Sequence, residues 1–171
     1  MKRALVNAIS VFFCFILQTS IFERIKLAGV KPNILIILVA SIAVMRGQKE
    51  GMLAGFFSGL LLDIFYSSYL GIFAMVYMLI GFVAGYFHRI YYEEDNVLPL
   101  MMIGAADFVF GLIMFMKEGL LHNHRNIFFY LRKTILPEVV YTVLLAFLIY
   151  WILLRLNRWI TRREDLNADI I

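Results

Sequence analysis

Charge is scarce in this sequence, and with it the material of a water-facing surface. Only 16% of the 171 residues are Asp, Glu, Lys or Arg, whereas 63% are hydrophobic, and no stretch between the apolar runs is long enough to hide a soluble domain. Cysteine is almost absent: Cys14 is the only one and lies in the first apolar run, which rules out an intramolecular disulfide. No serine stands beside a plausible base, and GxSxG, HExxH and P-loop patterns are missing. The residues therefore offer neither a nucleophile with its base nor a phosphate-binding loop, and no enzymatic activity is expected. His122 and His124 form a His-x-His pair, but no cysteine or further histidine cluster completes a ligand set, so no metal and no cofactor is expected.

What the chain does have is apolar sequence in six runs, the pattern of an all-α polytopic membrane protein with one transmembrane domain over residues 1–171. Spans are expected at about 4–22, 32–45, 50–66, 71–87, 97–116 and 135–155. The first follows Lys2 and Arg3 and ends at Glu23, Arg24 and Lys26 without a small-x-small cleavage site, so it reads as an uncleaved helix. The second opens at Pro32 and is short for a bilayer, so it starts within the interface or borrows flanking residues. Before the sixth lies a longer loop from Lys117 to Lys133, and Pro137 falls in that span's first turn, where a missing N–H costs least.

The net charge of +4 comes from basic residues that flank apolar runs, which makes them topology signals and sets nucleic acid aside. Six spans put both termini on one side. Lys2, Arg3, Arg46, Lys49, Arg89, Arg155, Arg158, Arg162 and Arg163 share that side. Arg24, Lys26, Lys31, Lys117, Arg125, Arg132 and Lys133 lie on the other. The bias favours cytoplasmic termini. Tyr91, Tyr92, Trp151 and Trp159 are placed for interfacial aromatic belts in the surrounding bilayer.

Gly47, Gly51, Gly55 and Gly59 recur every four residues, with Asp63 next in the series. That step keeps all five on one helix face, flat enough to seat another helix directly on the backbone. The seated helix is either a neighbour in the same bundle or a partner protein. Gly81 and Gly85 repeat the spacing once and, with Gly47 and Gly71, are assigned to helix packing. Asp63 either bonds the turn at Ser67 and Ser68 or acts as a polar lock on a partner.

The run Pro32-Asn33-Ile34-Leu35, the Arg46-Gly47 turn, the stretch from Glu50 to Asp63 with its glycines, Leu70-Gly71 and then Gly81 and Gly85 together resemble the rod shape-determining protein MreD family. The resemblance implies a non-enzymatic subunit of the bacterial cell-elongation machinery in the inner membrane. Its implied associates are MreC, a single-span protein with a large extracytoplasmic part, the MreB filament, the RodA glycosyltransferase and a class B penicillin-binding protein. The implied fold resembles the six-helix substrate-binding subunit of energy-coupling-factor vitamin transporters. On this reading Gly51, Gly55, Gly59, Asp63, Pro32 and Asn33 form the surface for the transmembrane helix of an MreC-like partner. The alternative is a vitamin- or cofactor-binding transporter subunit, with Ala4 and Ala8 as a docking pair for its energising module. Against it, Asn7, Gln18, Asp63 and Asp107 look scattered rather than convergent on a ligand.

Asp107 falls near the middle of the fifth span with no base nearby in sequence, so it must face protein or water. Asn7, Gln18 and Tyr77 are its candidate partners. It is read either as a protonated structural residue, since neutralisation removes much of the burial penalty, or as part of a ligand or proton site. Glu138 and Tyr141, one turn apart at the start of the sixth span, are assigned to a polar contact near the interface. Tyr69, Phe73 and Tyr77 share a face of the fourth span that lines a pocket or simply packs.

Overall fold

The structure is a computed structural model that describes residues 2–21, 24, 30–67, 70–90, 97–122 and 127–168. Described side chains fall within 6–21, 24, 30–67, 70–90, 97–117 and 128–155. Ser68, Tyr69, Tyr91, Tyr92 and His124 lie outside the described residues, as do the side chains of His122 and Trp159.

Helix α1 (Lys2–Ile16) continues into a π-helical turn, Leu17–Ile21, and α2 spans Ile34–Arg46. Then come α3 (Gln48–Tyr66), α4 (Ile72–Tyr86) with a 3-10 turn to Ile90, and α5 (Val97–His122). The last rod starts as α6 (Ile127–Tyr130), passes through a second π-helical turn, Leu131–Ile135, and runs on as α7 (Leu136–Ala168). By length and composition, three helices among the described residues suffice to cross a membrane: Ile72–Ile90, Val97–Lys117 and Phe128–Arg155. Val6–Ile21 and Ile34–Arg46 are shorter apolar helices. Helix α3 falls outside this class because Lys49, Glu50 and Asp63 interrupt it.

Helix α2 explains why the second apolar run is so short. It has 13 residues, about 20 Å of helix, against a hydrocarbon core of about 30 Å. Every residue from Ile34 to Met45 is buried, and Leu35 through Ala40 are 0% exposed. The helix is apolar on all sides because it is surrounded. Helices α1, α3, α4, α5 and α7 all pack against it, so its shortness is that of a central core helix.

The chain also departs from expectation after residue 116. Helix α5 reaches His122, and Ile127–Tyr130 is already helical, so much of the expected loop from Lys117 to Lys133 is helix. Pro137 falls in the first turn of α7 as expected, but no free helix end precedes it. The chain is helical on its N-terminal side, and the π-helical turn there closes with the Leu136 N–H on the Leu131 carbonyl. Widening the spacing to five residues just before a proline, which has no N–H to give, lets one helix run through the site.

Helices α3 and α4 are antiparallel neighbours joined at the Gly71 turn, and their contact is the most extensive in the bundle. A Cβ on Gly51 would lie 2.7 Å from the Gly81 carbonyl oxygen, and one on Gly85 2.5 Å from the Cα of Gln48. A Cβ on Gly55 would collide with the Tyr77 carbonyl, one on Gly59 with the Phe73 carbonyl, and one on Gly81 with the Gly51 carbonyl. The ladder is therefore filled from the same chain, by α4 along its length and also by Ala43 of α2 at Gly51. The expectation of a partner helix seated on Gly51, Gly55 and Gly59 is corrected, because that space is already taken by backbone. Gly47 and Gly71 do a different job from Gly81 and Gly85. Their φ angles of 93° and 103° place them in the left-handed region, and at Gly71 no atom comes within 4 Å of a built Cβ. It is a turn glycine, not a packing one.

Replacing Gly55 with alanine should already destabilise the protein, since the obstruction is backbone that cannot rotate away; the expected cost is about 1–3 kcal/mol, with leucine worse. Thermal unfolding in detergent micelles measures it. A Gly55→Ala melt equal to wild type would show that α3 and α4 do not touch there.

Candidate functional site

Two polar clusters interrupt the apolar interior, one at each end of α2. At its C-terminal end, Arg46 Nη1 donates to Asn7 Oδ1 at 2.7 Å and to Glu50 Oε2 at 3.3 Å, while Asn7 Nδ2 donates to the same Glu50 oxygen at 3.0 Å. The triangle ties α1, α2 and α3 together. The His88 ring adds α4's end, with Nδ1 donating to the Val44 carbonyl at 2.8 Å. Arg46, read from sequence as a topology signal and part of the Arg46-Gly47 turn, is thus also a structural tie.

At the other end, the first turn of α2 needs acceptors for its free N–H groups. Asn33 supplies one, accepting from Ile36 N–H at 3.3 Å, and Gln18 reaches over from the π-helical turn after α1 to accept from Leu35 N–H at 2.9 Å. Asn33 Oδ1 also accepts the Tyr77 hydroxyl at 2.8 Å, and its backbone N–H donates to Thr142 Oγ1 at 3.1 Å. Helices α2, α4 and α7 meet at this one asparagine. Asn33 is 4% exposed and Tyr77 0%, which places Asn33 inside the bundle rather than on a partner-facing surface. No local pattern in the sequence announces the Gln18 and Thr142 contacts, although Asn33 ahead of an apolar run is a recognisable N-cap signal.

Asp63 is a cap on the neighbouring helix. It is 0% exposed, and its two oxygens accept the Phe73 N–H at 3.1 Å and the Ala74 N–H at 2.8 Å, the open donors of α4's first turn. The Ser67 N–H donates to the Asp63 backbone carbonyl at 3.2 Å, so the turn after α3 is bonded through the main chain of the same residue. The carboxylate ends the glycine ladder by locking α3 onto α4, favourably placed at the positive end of that helix.

Asp107 has none of the expected partners. It is 1% exposed, yet among the described residues neither carboxyl oxygen has a hydrogen-bond partner of good geometry. Asn7 is engaged with Arg46 and Glu50, Gln18 with α2, and Tyr77 with Asn33. Thr142 accepts from the Asn33 N–H, which leaves its hydroxyl proton as the one polar group acting on Asp107 among the described residues. Glu138 and Tyr141 are only partly buried, and Glu138 feels the field of Lys31.

The second cluster borders a cavity of about 390 Å³. Gln18 and Thr19, Lys31 to Asn33, Leu62 and Tyr66, Phe73 and Tyr77, Phe110, Met114 and Lys117, and finally Glu138 line it. Phe73 and Tyr77 thus line a pocket as well as pack. Gln18 belongs to the site and Asn7, at the opposite end of α2, does not. Pro32 lines the cavity wall and is buried.

Replacing Asp63 with alanine removes both acceptors from buried N–H groups and is expected to cost about 1–3 kcal/mol. Asp107→Leu should melt at or above the wild-type temperature, because it removes a buried carboxyl whose desolvation the nearby Thr142 hydroxyl offsets only in part. Parallel thermal melts in detergent test the contrast, which fails if Asp107→Leu is the more damaging change.

Among proteins of known sequence and structure, no curated protein matches the chain and no solved structure matches it. One family model does, that of rod shape-determining protein MreD, over residues 2–160, nearly the whole length and including every residue of both polar clusters. The chain belongs to the MreD family of rod shape-determining proteins.

Proposed function

We propose that the protein is a non-enzymatic scaffold subunit of the bacterial cell-elongation complex, embedded in the inner membrane and holding the transmembrane helix of an MreC-like partner. The family match over residues 2–160 carries this reading. Through that partner the subunit works with MreB, RodA and a class B penicillin-binding protein in peptidoglycan synthesis. Six passes with cytoplasmic termini fit the flanking charges, with α2 shielded by its neighbours instead of facing lipid.

A scaffold needs a fixed shape, and the close α3–α4 contact supplies one. Gly51, Gly55, Gly59 and Asp63 then act on a partner indirectly, by fixing the relief of the faces that α3 and α4 turn outward. Those faces are rich in large apolar side chains: Leu53, Phe57, Leu79 and Val83 are all more than half exposed. The transporter reading keeps one observation in its favour, the cavity at the α2 N-terminus, where polar groups do converge.

Photoreactive residues at positions 53, 57, 79 and 83, crosslinked in native membranes and followed by mass spectrometry, separate the two. Capture of an MreC-like single-span protein at one face supports the scaffold. Capture of paired ATPase subunits with their coupling membrane protein replaces it with the transporter.

A further inference from the structure

The cavity beside the α2 N-terminus has a one-sided hydrogen-bonding character that follows from how α2 is capped. Leu35 N–H requires an acceptor, so the Gln18 amide must turn its oxygen to the helix; Ile36 N–H and the Tyr77 hydroxyl impose the same on Asn33. Each amide therefore keeps its NH2 end as the side-chain group left for the cavity it lines. Both residues are more than nine-tenths buried, at 5% and 4% exposed, so these donors belong to the cavity wall and not to an outer surface.

Two ammonium groups add to the donors. Lys31 Nζ lies 5.7 Å from the Tyr66 ring centroid and Lys117 Nζ 4.9 Å from that of Phe73. Aromatic faces thus steady both lysines at the cavity they line. On the acidic side stand Glu138 in the lining and Asp107 among the residues acting on it. Lys31, of opposite charge and in the same lining, offsets Glu138. Leu62, Phe73, Phe110 and Met114 make the remaining wall apolar. A volume of about 390 Å³ lies within the range of small-molecule sites, which are mostly apolar with a few convergent polar groups.

We propose that this cavity binds an anionic amphiphile, a molecule with a phosphate or carboxylate head held by Lys31, Lys117 and the amide donors of Gln18 and Asn33, and an apolar body laid against Phe73, Phe110 and Met114. The site does not depend on the scaffold reading, since binding and complex assembly are read out separately.

The test uses the full-length protein in phosphatidylcholine nanodiscs, with bound amphiphile counted by native mass spectrometry. Dodecyl phosphate is the probe, with dodecylammonium and inorganic phosphate as comparisons. Saturable binding of dodecyl phosphate, at least about tenfold tighter than either comparison, is expected, together with about a tenfold loss in Lys117→Gln and in Lys31→Gln. Lys133→Gln, a lysine over the Phe129 ring and away from the cavity lining, should leave binding unchanged. Equal affinity for dodecylammonium overturns the anionic head, and equal affinity for inorganic phosphate overturns the apolar body. An equal loss in Lys133→Gln assigns the binding to diffuse surface charge and overturns the site. Two independent lysine variants guard against one of them failing to fold.

Discussion

The bundle depends on backbone touching backbone between α3 and α4. In lipid, apolar side chains gain little by leaving one apolar environment for another, so helix association rests on close packing and on polar groups satisfied across the contact. Glycine at 51, 55, 59, 81 and 85 lets the two helices approach until carbonyls occupy the places of absent side chains. Asp63 then closes the last turn by capping the first N–H groups of α4. Dispersion along the ladder and charge-assisted bonds at its end act on one pair of helices. The remaining helices have α2 as a common axis to pack on, and α2 itself packs on this pair.

The periodic features were legible from sequence, and the long-range pairings were not. A four-residue glycine repeat states that a face is flat, and the close approach found in the fold is what such a face allows. It does not state which helix arrives, because Gly81 and Gly85, the other half of the contact, lie 22 to 34 residues further along. The assignment of Gly51, Gly55 and Gly59 to a partner failed on that point. Helix α2 was recognisable as anomalous by length. Its complete enclosure required knowing that five other helices surround it.

Polar residues show the same division. Asn33 stands directly before an apolar run, and its N-cap role is local. Gln18 capping Leu35, Thr142 accepting from Asn33, and Asn7 bridging Arg46 and Glu50 span between 17 and 109 positions. A single chain gives no local signal for such pairs. Hence the cavity, which exists only because α1, α3, α4, α5 and α7 converge near one end of α2, could not be assembled from residues that look scattered along the sequence.

The enclosure of α2 imposes an order on biogenesis. This helix leaves the ribosome before α3, α4, α5 and α7, the helices that will cover most of it. At about 20 Å it cannot satisfy the full apolar thickness of a bilayer alone, and a lone pass would strain lipid at its ends. It reaches a settled position only as α3 and α4 close beside it and α5 and α7 complete the wrapping. Membrane insertion and tertiary folding are thus not separable stages for this chain, and its second helix is committed last although it is made early.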